Sequence, residues 1–217
     1  MIEKVKAYIN RKIGLEADDL VLVALSGGAD STALLLIMKE LGYKLQALHC
    51  NFHLRGEESD RDQVFVEELC LQQGVPLSVR HFQTEEEAKR RGISIEMAAR
   101  DLRYEWFKKE QEERKPSYVA VAHHRDDQAE TLLLNLLRGT GLRGLAGMSP
   151  SHDGIIRPLL CLSREEILAF LESRGQTYVT DSTNSERIAQ RNCLRLDIIP
   201  QLQNINPSAV EHLSRAS

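Results

Sequence analysis

The run Val21-Leu22-Val23-Ala24-Leu25 passes straight into Ser26-Gly27-Gly28-Ala29-Asp30-Ser31, and a helical pattern from Thr32 to Leu41 follows before Gly42 ends it. A short continuous apolar run bounded by a turn predicts a strand buried on both faces, and such strands belong to parallel sheets covered by helices. Strand, tight glycine turn and helix in that order also turn backbone amides toward an anion.

Gly27 and Gly28 open backbone angles closed to other residues and let a phosphate come close to the amides. Ser26, Ser31 and Thr32 add hydroxyl donors. The turn lacks the Gly-Lys-Ser/Thr ending of the usual kinase and GTPase loop. Asp30 stands instead among phosphate donors, where a carboxylate repels phosphate unless a cation lies between them. Magnesium, which favours carboxylate and phosphate oxygens, is the expected metal, with Asp30 as its anchor. A plain strand-to-helix turn with an Asp cap would explain two bare glycines, but not the whole string after such a strand.

The rest of the chain continues the alternation. Strands are predicted at Lys44–Cys50, Pro76–Phe82, Tyr118–Ala122 and Ile155–Leu160, and helices at Glu58–Gln73, Thr84–Arg91, Ser94–Lys115, Gln128–Leu137 and Ser163–Ser173. Ser94 is the expected N-cap of its helix, and Glu165-Glu166 suit the N-terminal dipole of theirs. Gly139–Pro150, with four glycines, is a loop, and beyond Asn184 the pattern is helical again. The expected fold is α/β, a doubly wound parallel sheet with a helical C-terminal extension. The expected division is 1–185 for the catalytic domain and 186–217 for the extension.

With 217 residues, 42% of them hydrophobic, the chain can bury one large core. Its net charge of −4 argues against a single broad basic surface for nucleic acid, so a polynucleotide would meet local patches or another part of the protein. No apolar run reaches membrane-spanning length, and Met1–Lys12 mixes charged and apolar residues rather than forming a leader, so a cytosolic protein is expected. Cys50, Cys70, Cys161 and Cys193 include no pair at metal-knuckle or redox spacing and read as reduced structural thiols.

A second constellation, His123-His124-Arg125-Asp126-Asp127-Gln128-Ala129-Glu130-Thr131, sits at the carboxyl end of a predicted parallel strand, where open α/β sheets bind ligands. Asp127 and Glu130, three apart, share a helix face and could bind a metal or orient an amine. His123 or His124 could contact a leaving phosphate. Capping would account for one of these acids, but not for two histidines, two aspartates and a glutamate together. Glu96, Arg100 and Arg103 form a third group along one helical stripe. Glu96–Arg100 has the orientation of a simple helical ion pair; alternatively an arginine there neutralises charge on pyrophosphate. His49, Asn51, His53 and Arg55 follow the second strand at the same sheet edge, with Asn51 or His53 near a nucleotide.

The string Ser26–Ser31 resembles the signature of the PP-loop enzymes, which cleave ATP between the α and β phosphates. That resemblance implies transfer of AMP to a substrate oxygen, with Ser26, Gly27, Gly28, Ala29, Asp30, Ser31 and Arg103 binding ATP. Ala122–Thr131, Leu137–Met148, Arg157-Pro158-Leu159-Leu160, Asp181-Ser182-Thr183-Asn184 and Arg191-Asn192 with Arg195 resemble, in order and spacing, the tRNA(Ile)-lysidine synthetases. This narrower resemblance implies adenylation of the C2 oxygen of the wobble cytidine of tRNA(Ile) with a CAU anticodon. The ε-amine of free L-lysine then displaces AMP.

Asp30, Asp127, Glu130, Arg100 and His123 are the implied catalytic residues, with Mg2+ beside ATP. The segment Gly139–Gly147, with Arg138 and Arg143, is expected to meet tRNA or lysine, and Arg191 and Arg195 to reach ATP or the anticodon loop. Full members of that family continue into domains that grip tRNA, so this chain is expected to bind ATP yet modify tRNA poorly. A homodimer is left open. Two other readings are a PP-loop tRNA-thiolating enzyme, which needs paired cysteines, and a nucleotide-binding module without catalysis.

Overall fold

The computed structural model describes residues 1–114, 117–141, 146–180 and 190–216. In chain order the elements are α1 (Ile2–Lys12), β1 (Leu20–Ala24), α2 (Ala29–Glu40), β2 (Lys44–Asn51), α3 (Glu57–Gln73), β3 (Leu77–His81), α4 (Thr84–Arg91), α5 (Ile95–Glu113), β4 (Ser117–Ala120) and α6 (Arg125–Leu137). After them come β5 (Ser151–His152), β6 (Ile155–Ile156), a 3-10 turn (Pro158–Cys161), α7 (Arg164–Ser173), α8 (Gln190–Cys193), a π-helical turn (Leu194–Ile198), α9 (Ile199–Ile205) and α10 (Ala209–Ala216).

The strands form one sheet in the order β3-β2-β1-β4-β6-β5. The pairs β1–β2, β1–β4, β2–β3 and β4–β6 are parallel, and β5 turns back antiparallel on β6. Strand alternation divides the core. Val21, Val23 and Leu25 meet residues of α1, α2, α3 and α7 on one face, while Leu22, Leu48 and Val119 meet Phe82, Trp106 and Phe107 on the other. The doubly wound α/β fold is therefore present, with an antiparallel hairpin at one edge.

Local signals place most boundaries. Ser94 caps α5 by accepting the Met97 N–H at 3.2 Å. Ser163 and Glu166 form a reciprocal capping box, with bonds of 3.1 and 2.7 Å. Two expectations are corrected. Ile155–Leu160 is a strand only at Ile155–Ile156, since Pro158 has no N–H for a ladder and opens the 3-10 turn. Met1–Lys12, not expected as an element, carries helix α1, whose Val5 and Ile9 are wholly buried. Among the described residues no helix is long and apolar enough to cross a membrane.

Candidate active site at the switch in strand order

Strand order reverses direction between β1 and β4, and the crevice outside their carboxyl ends is where such sheets take ligands. The segments leaving these two strands are Ser26–Ser31 and His123–Asp127. Gly27 has φ +89°, and a Cβ there would lie 3.2 Å from Val66 and 3.3 Å from Phe65. The backbone angle strains any L side chain there, and a Cβ would also press on these two neighbours. The turn is tied internally, with the Ser26 N–H donating to Ser31 Oγ at 3.2 Å and Thr32 Oγ1 donating to Gly27 O at 3.2 Å. From outside, the Val179 N–H donates to Gly27 O at 2.9 Å. Gly28 is the N-cap of α2 and supplies no side-chain cap, which leaves first-turn amides for an anion.

A cavity of about 240 Å³ opens over this turn, lined by Ser26, Gly28, Ala29 and Asp30 and by Arg55, Arg164 and Arg195 among others. Asp30 Oδ2 accepts from Arg164 Nη1 at 3.0 Å, while Asp30 Oδ1 is buried and has no hydrogen-bond partner among the described residues. An orphaned buried carboxylate oxygen on a residue that lines this cavity fits a divalent cation. Asp30 would supply one ligand and the polyphosphate and water the rest.

His124 brings the two segments together. It is 1% exposed, and its Nε2 stands 3.7 Å from Asp30 Oδ2 and 3.5 Å from Asp127 Oδ2, with Nδ1 3.6 Å from Asp126 Oδ2. Burial disfavours its imidazolium, but neighbouring Asp126 and the charges of Asp127 and Asp30 outweigh burial and raise its pKa. His123 goes the other way. Burial is the largest cause, Arg157 and Arg191 add to it, and its pKa falls to about 4, so the ring is neutral at pH 7. Asp126 accepts the Arg164 backbone N–H at 3.0 Å, which joins the start of α7 to the same cluster.

Glu130 lies one turn further along α6. Its side chain is 1% exposed, and both oxygens are engaged: Arg191 Nε donates to Oε2 at 2.8 Å and Arg195 Nε to Oε1 at 2.7 Å. Arg195 Nη2 also approaches Asp127 Oδ1, at 3.4 Å. Asp127 and Glu130 do share one face of α6, as their spacing suggests, and Glu130 is there the buried clamp for two arginines.

The arginine stripe of α5 lies away from the loop cavity. Arg103 lies over the Phe52 ring at 5.2 Å and Arg100 over the Tyr104 ring at 5.1 Å, and neither lines the loop cavity. Arg100 instead shares with Tyr104, Tyr118 and Arg157 a larger groove, of about 1020 Å³. The cations at the loop are Arg55, Arg164 and Arg195. Arg164 carried no motif of its own, and its pairing with a residue 134 positions away has no signature in local spacing.

After the second strand, His49 is buried and its Nδ1 lies 2.8 Å from the Leu25 carbonyl, just ahead of the turn. Asn51 spends its amide on Gln63 at 2.9 Å, and His53 lies against His81, with ring nitrogens 2.9 Å apart, so neither lines the cavity. Gln128, part of the second constellation, has a structural task there. Its amide accepts from Met148 N–H at 2.8 Å and donates to Met148 O at 3.3 Å, which pins the end of the glycine-rich segment to α6. Arg143, Gly144 and Asp181–Asn184 lie outside the described residues.

A Bacteroides thetaiotaomicron protein named tRNA(Ile)-lysidine synthase is 52% identical over 215 residues, which is 99% of this chain and 50% of that protein. A Porphyromonas gingivalis protein of the same name is 56% identical over 94% of this chain and 45% of its own length. The chain therefore spans about half the length of the curated relatives it matches. Among solved structures, the U34-tRNA thiolase NcsA from Methanococcus maripaludis with its [4Fe-4S] cluster superposes with a TM-score of 0.79 at 20% identity, covering 99% of this chain and 77% of that one. That likeness shows the fold. The PP-loop domain family matches residues 1–202, and the chain belongs to it.

Proposed function

We propose that the chain forms the ATP-using catalytic part of a tRNA(Ile)-lysidine synthase. The observation that carries this reading is the meeting of the loop acid Asp30 with Asp127 around the buried His124. The relatives' shared name points the same way. ATP would lie with its phosphates on the Ser26, Gly27, Gly28, Ala29 and Ser31 segment and the N-terminus of α2. Asp30 Oδ1 would hold Mg2+, which when bound offsets phosphate charge.

In the first step the C2 oxygen of the wobble cytidine of tRNA(Ile) with a CAU anticodon attacks the α phosphate, and the bond to pyrophosphate breaks. The protein's part is to fix the acceptor in line and to stabilise the departing charge. His124, drawn toward the imidazolium by its carboxylates, supplies positive charge at the cluster. In the second step the free ε-amine of L-lysine attacks C2 and AMP leaves with the oxygen. Asp127 is proposed to receive the lysine ammonium before its proton passes to solvent and frees the amine, with Glu130 holding Arg191 and Arg195 beside it. Neutral His123 completes the polar wall. For Arg100, beside Arg157 in the larger groove, the proposed partner is RNA phosphate rather than pyrophosphate. Arg103 is proposed to pack on Phe52.

Residues 1–185 would carry this chemistry and 186–217 would extend toward tRNA-gripping parts of a longer, cytosolic protein. A thiolation reading is less well supported by the thiols. Burial pushes Cys50 up to about 12 and Cys70 and Cys161 up to about 11, so they stay protonated and poorly nucleophilic at neutral pH.

The test supplies a full-length protein containing this chain with ATP, lysine and transcripts of isoleucine tRNA bearing CAU or GAU anticodons. Release of AMP and pyrophosphate that requires the CAU transcript, with lysine incorporated into it, is expected. A requirement for a sulfur donor in place of lysine would transfer the chain to the thiolation branch.

A further inference from the structure

Three acids face arginines around the loop cavity, and they are held differently. Asp62, 6% exposed, is gripped by Arg55 at 2.9 Å and Arg61 at 2.8 Å. Glu130 is gripped by Arg191 and Arg195 through both oxygens. Asp30 has one hydrogen bond, from Arg164 Nη1 at 3.0 Å to Oδ2, with His124 Nε2 at 3.7 Å from the same oxygen and Oδ1 buried and unpartnered among the described residues. Both members of this pair are partly open, Arg164 at 37% and Asp30 at 28% exposure.

The base of Arg164 is fixed, since it is the first residue of α7 and its backbone N–H is held by Asp126 Oδ2 at 3.0 Å. Its guanidinium, at the end of a long side chain, lines the cavity beside Ser26, Gly28 and Ala29. A guanidinium forks onto phosphate oxygens as well as onto a carboxylate, while a divalent cation prefers the carboxylate.

We infer that Arg164 is an exchangeable counter-ion: it neutralises Asp30 while no nucleotide is bound and moves to the polyphosphate when a divalent cation takes Asp30. The exchange makes no covalent bond and leaves the charges balanced, with cation on Asp30 and guanidinium on phosphate. It explains how a carboxylate is tolerated among phosphate donors before any ligand arrives. The inference rests on the ATP-site reading but not on the identity of the nucleotide's acceptor.

The experiment titrates the chain with Mn2+ alone, followed by the electron paramagnetic resonance of the free ion, and separately with magnesium pyrophosphate by calorimetry. Arg164→Gln should bind Mn2+ alone about threefold more tightly, because a competing cation has gone from Asp30. The same variant should bind magnesium pyrophosphate about tenfold more weakly, because a charge-assisted phosphate contact is lost. Asp30→Asn should abolish the Mn2+ site in either background. A merely structural Arg164 would weaken both ligands together, and that result, or unchanged affinity for both, would overturn the inference.

Should Arg164→Gln melt before it can be titrated, Arg164→Lys keeps the charge and loses the fork. It should leave Mn2+ affinity at the parent value and weaken pyrophosphate about threefold, and parallel losses would again count against the exchange. Neither probe involves tRNA or lysine, so failure of lysidine formation leaves these outcomes intact. Failure of the parent chain to bind either probe would sink the ATP-site reading itself.

Discussion

Glu130 shows how far one residue's meaning depends on partners that the sequence does not place beside it. Its spacing from Asp127 identifies a shared helical face, and that much was legible. Arg191 and Arg195, 61 and 65 positions away, turn it from an acid open to ligands into a buried clamp. A buried carboxylate with two guanidiniums is costly to break from one side, because the cations are left without a counter-charge. Glu130→Ala is expected to lose about 3 kcal/mol in urea unfolding, the lower end of the roughly 3–5 kcal/mol for breaking a buried pair, because Arg191 is 40% exposed and can rehydrate. Glu130→Gln, which keeps shape and one acceptor, should lose less. Equal and negligible losses in the two variants would mean that the clamp contributes little to folding.

At the scale of elements, β1, β2, α3 and α5 were legible because apolar runs and glycine or serine stops coincide there. The strand β5 and the shortening of β6 were not, since two-residue strands carry no period to read. The contact between β2 and the loop was equally hidden: neutral His49 donates from Nδ1 to the Leu25 carbonyl across adjacent strands. Burial lowers the His49 pKa below 6.5, against the raising effects of that hydrogen bond and of Asp62 and Glu67. Between the folded value and 6.5 the unfolded chain therefore binds more protons than the folded one. The stability due to neutral His49 is complete above pH 6.5 and is lost as pH falls through 6.5 toward the folded value. His49→Asn keeps a donor and cannot titrate, so its melting temperature should fall less than that of the parent between pH 7 and 5.5. The difference in slope has a ceiling of about 1.4 kcal/mol per pH unit. Parallel melting curves for the two proteins would remove His49 from the acid response.

At the scale of the whole molecule, two cores flank the sheet and a third, smaller cluster stands apart from them. Ala129 of α6, Ile199 of α9 and Val210 of α10 form it, with Leu133 and Leu213 against its edge. Among the described residues, the C-terminal helices meet α6 through these apolar contacts and through the arginines on Glu130. A layer with its own small core is expected to open as a unit at lower free energy than β1 and α2. That matters for the site, because Arg195 comes from this layer and lines the loop cavity. Val210 is 7% exposed, and an aspartate in its place would bury an unpaired charge in the cluster. Val210→Asp should therefore speed amide hydrogen exchange across α9 and α10 by at least about tenfold while α2 and β1 keep their protection. Magnesium pyrophosphate should bind this variant more weakly, since Arg195 no longer has a fixed position at the cavity. Exchange that rises equally in β1 and α10 would show instead that the C-terminal helices and the sheet unfold as one body, with the Glu130 clamp rather than the apolar cluster setting their coupling.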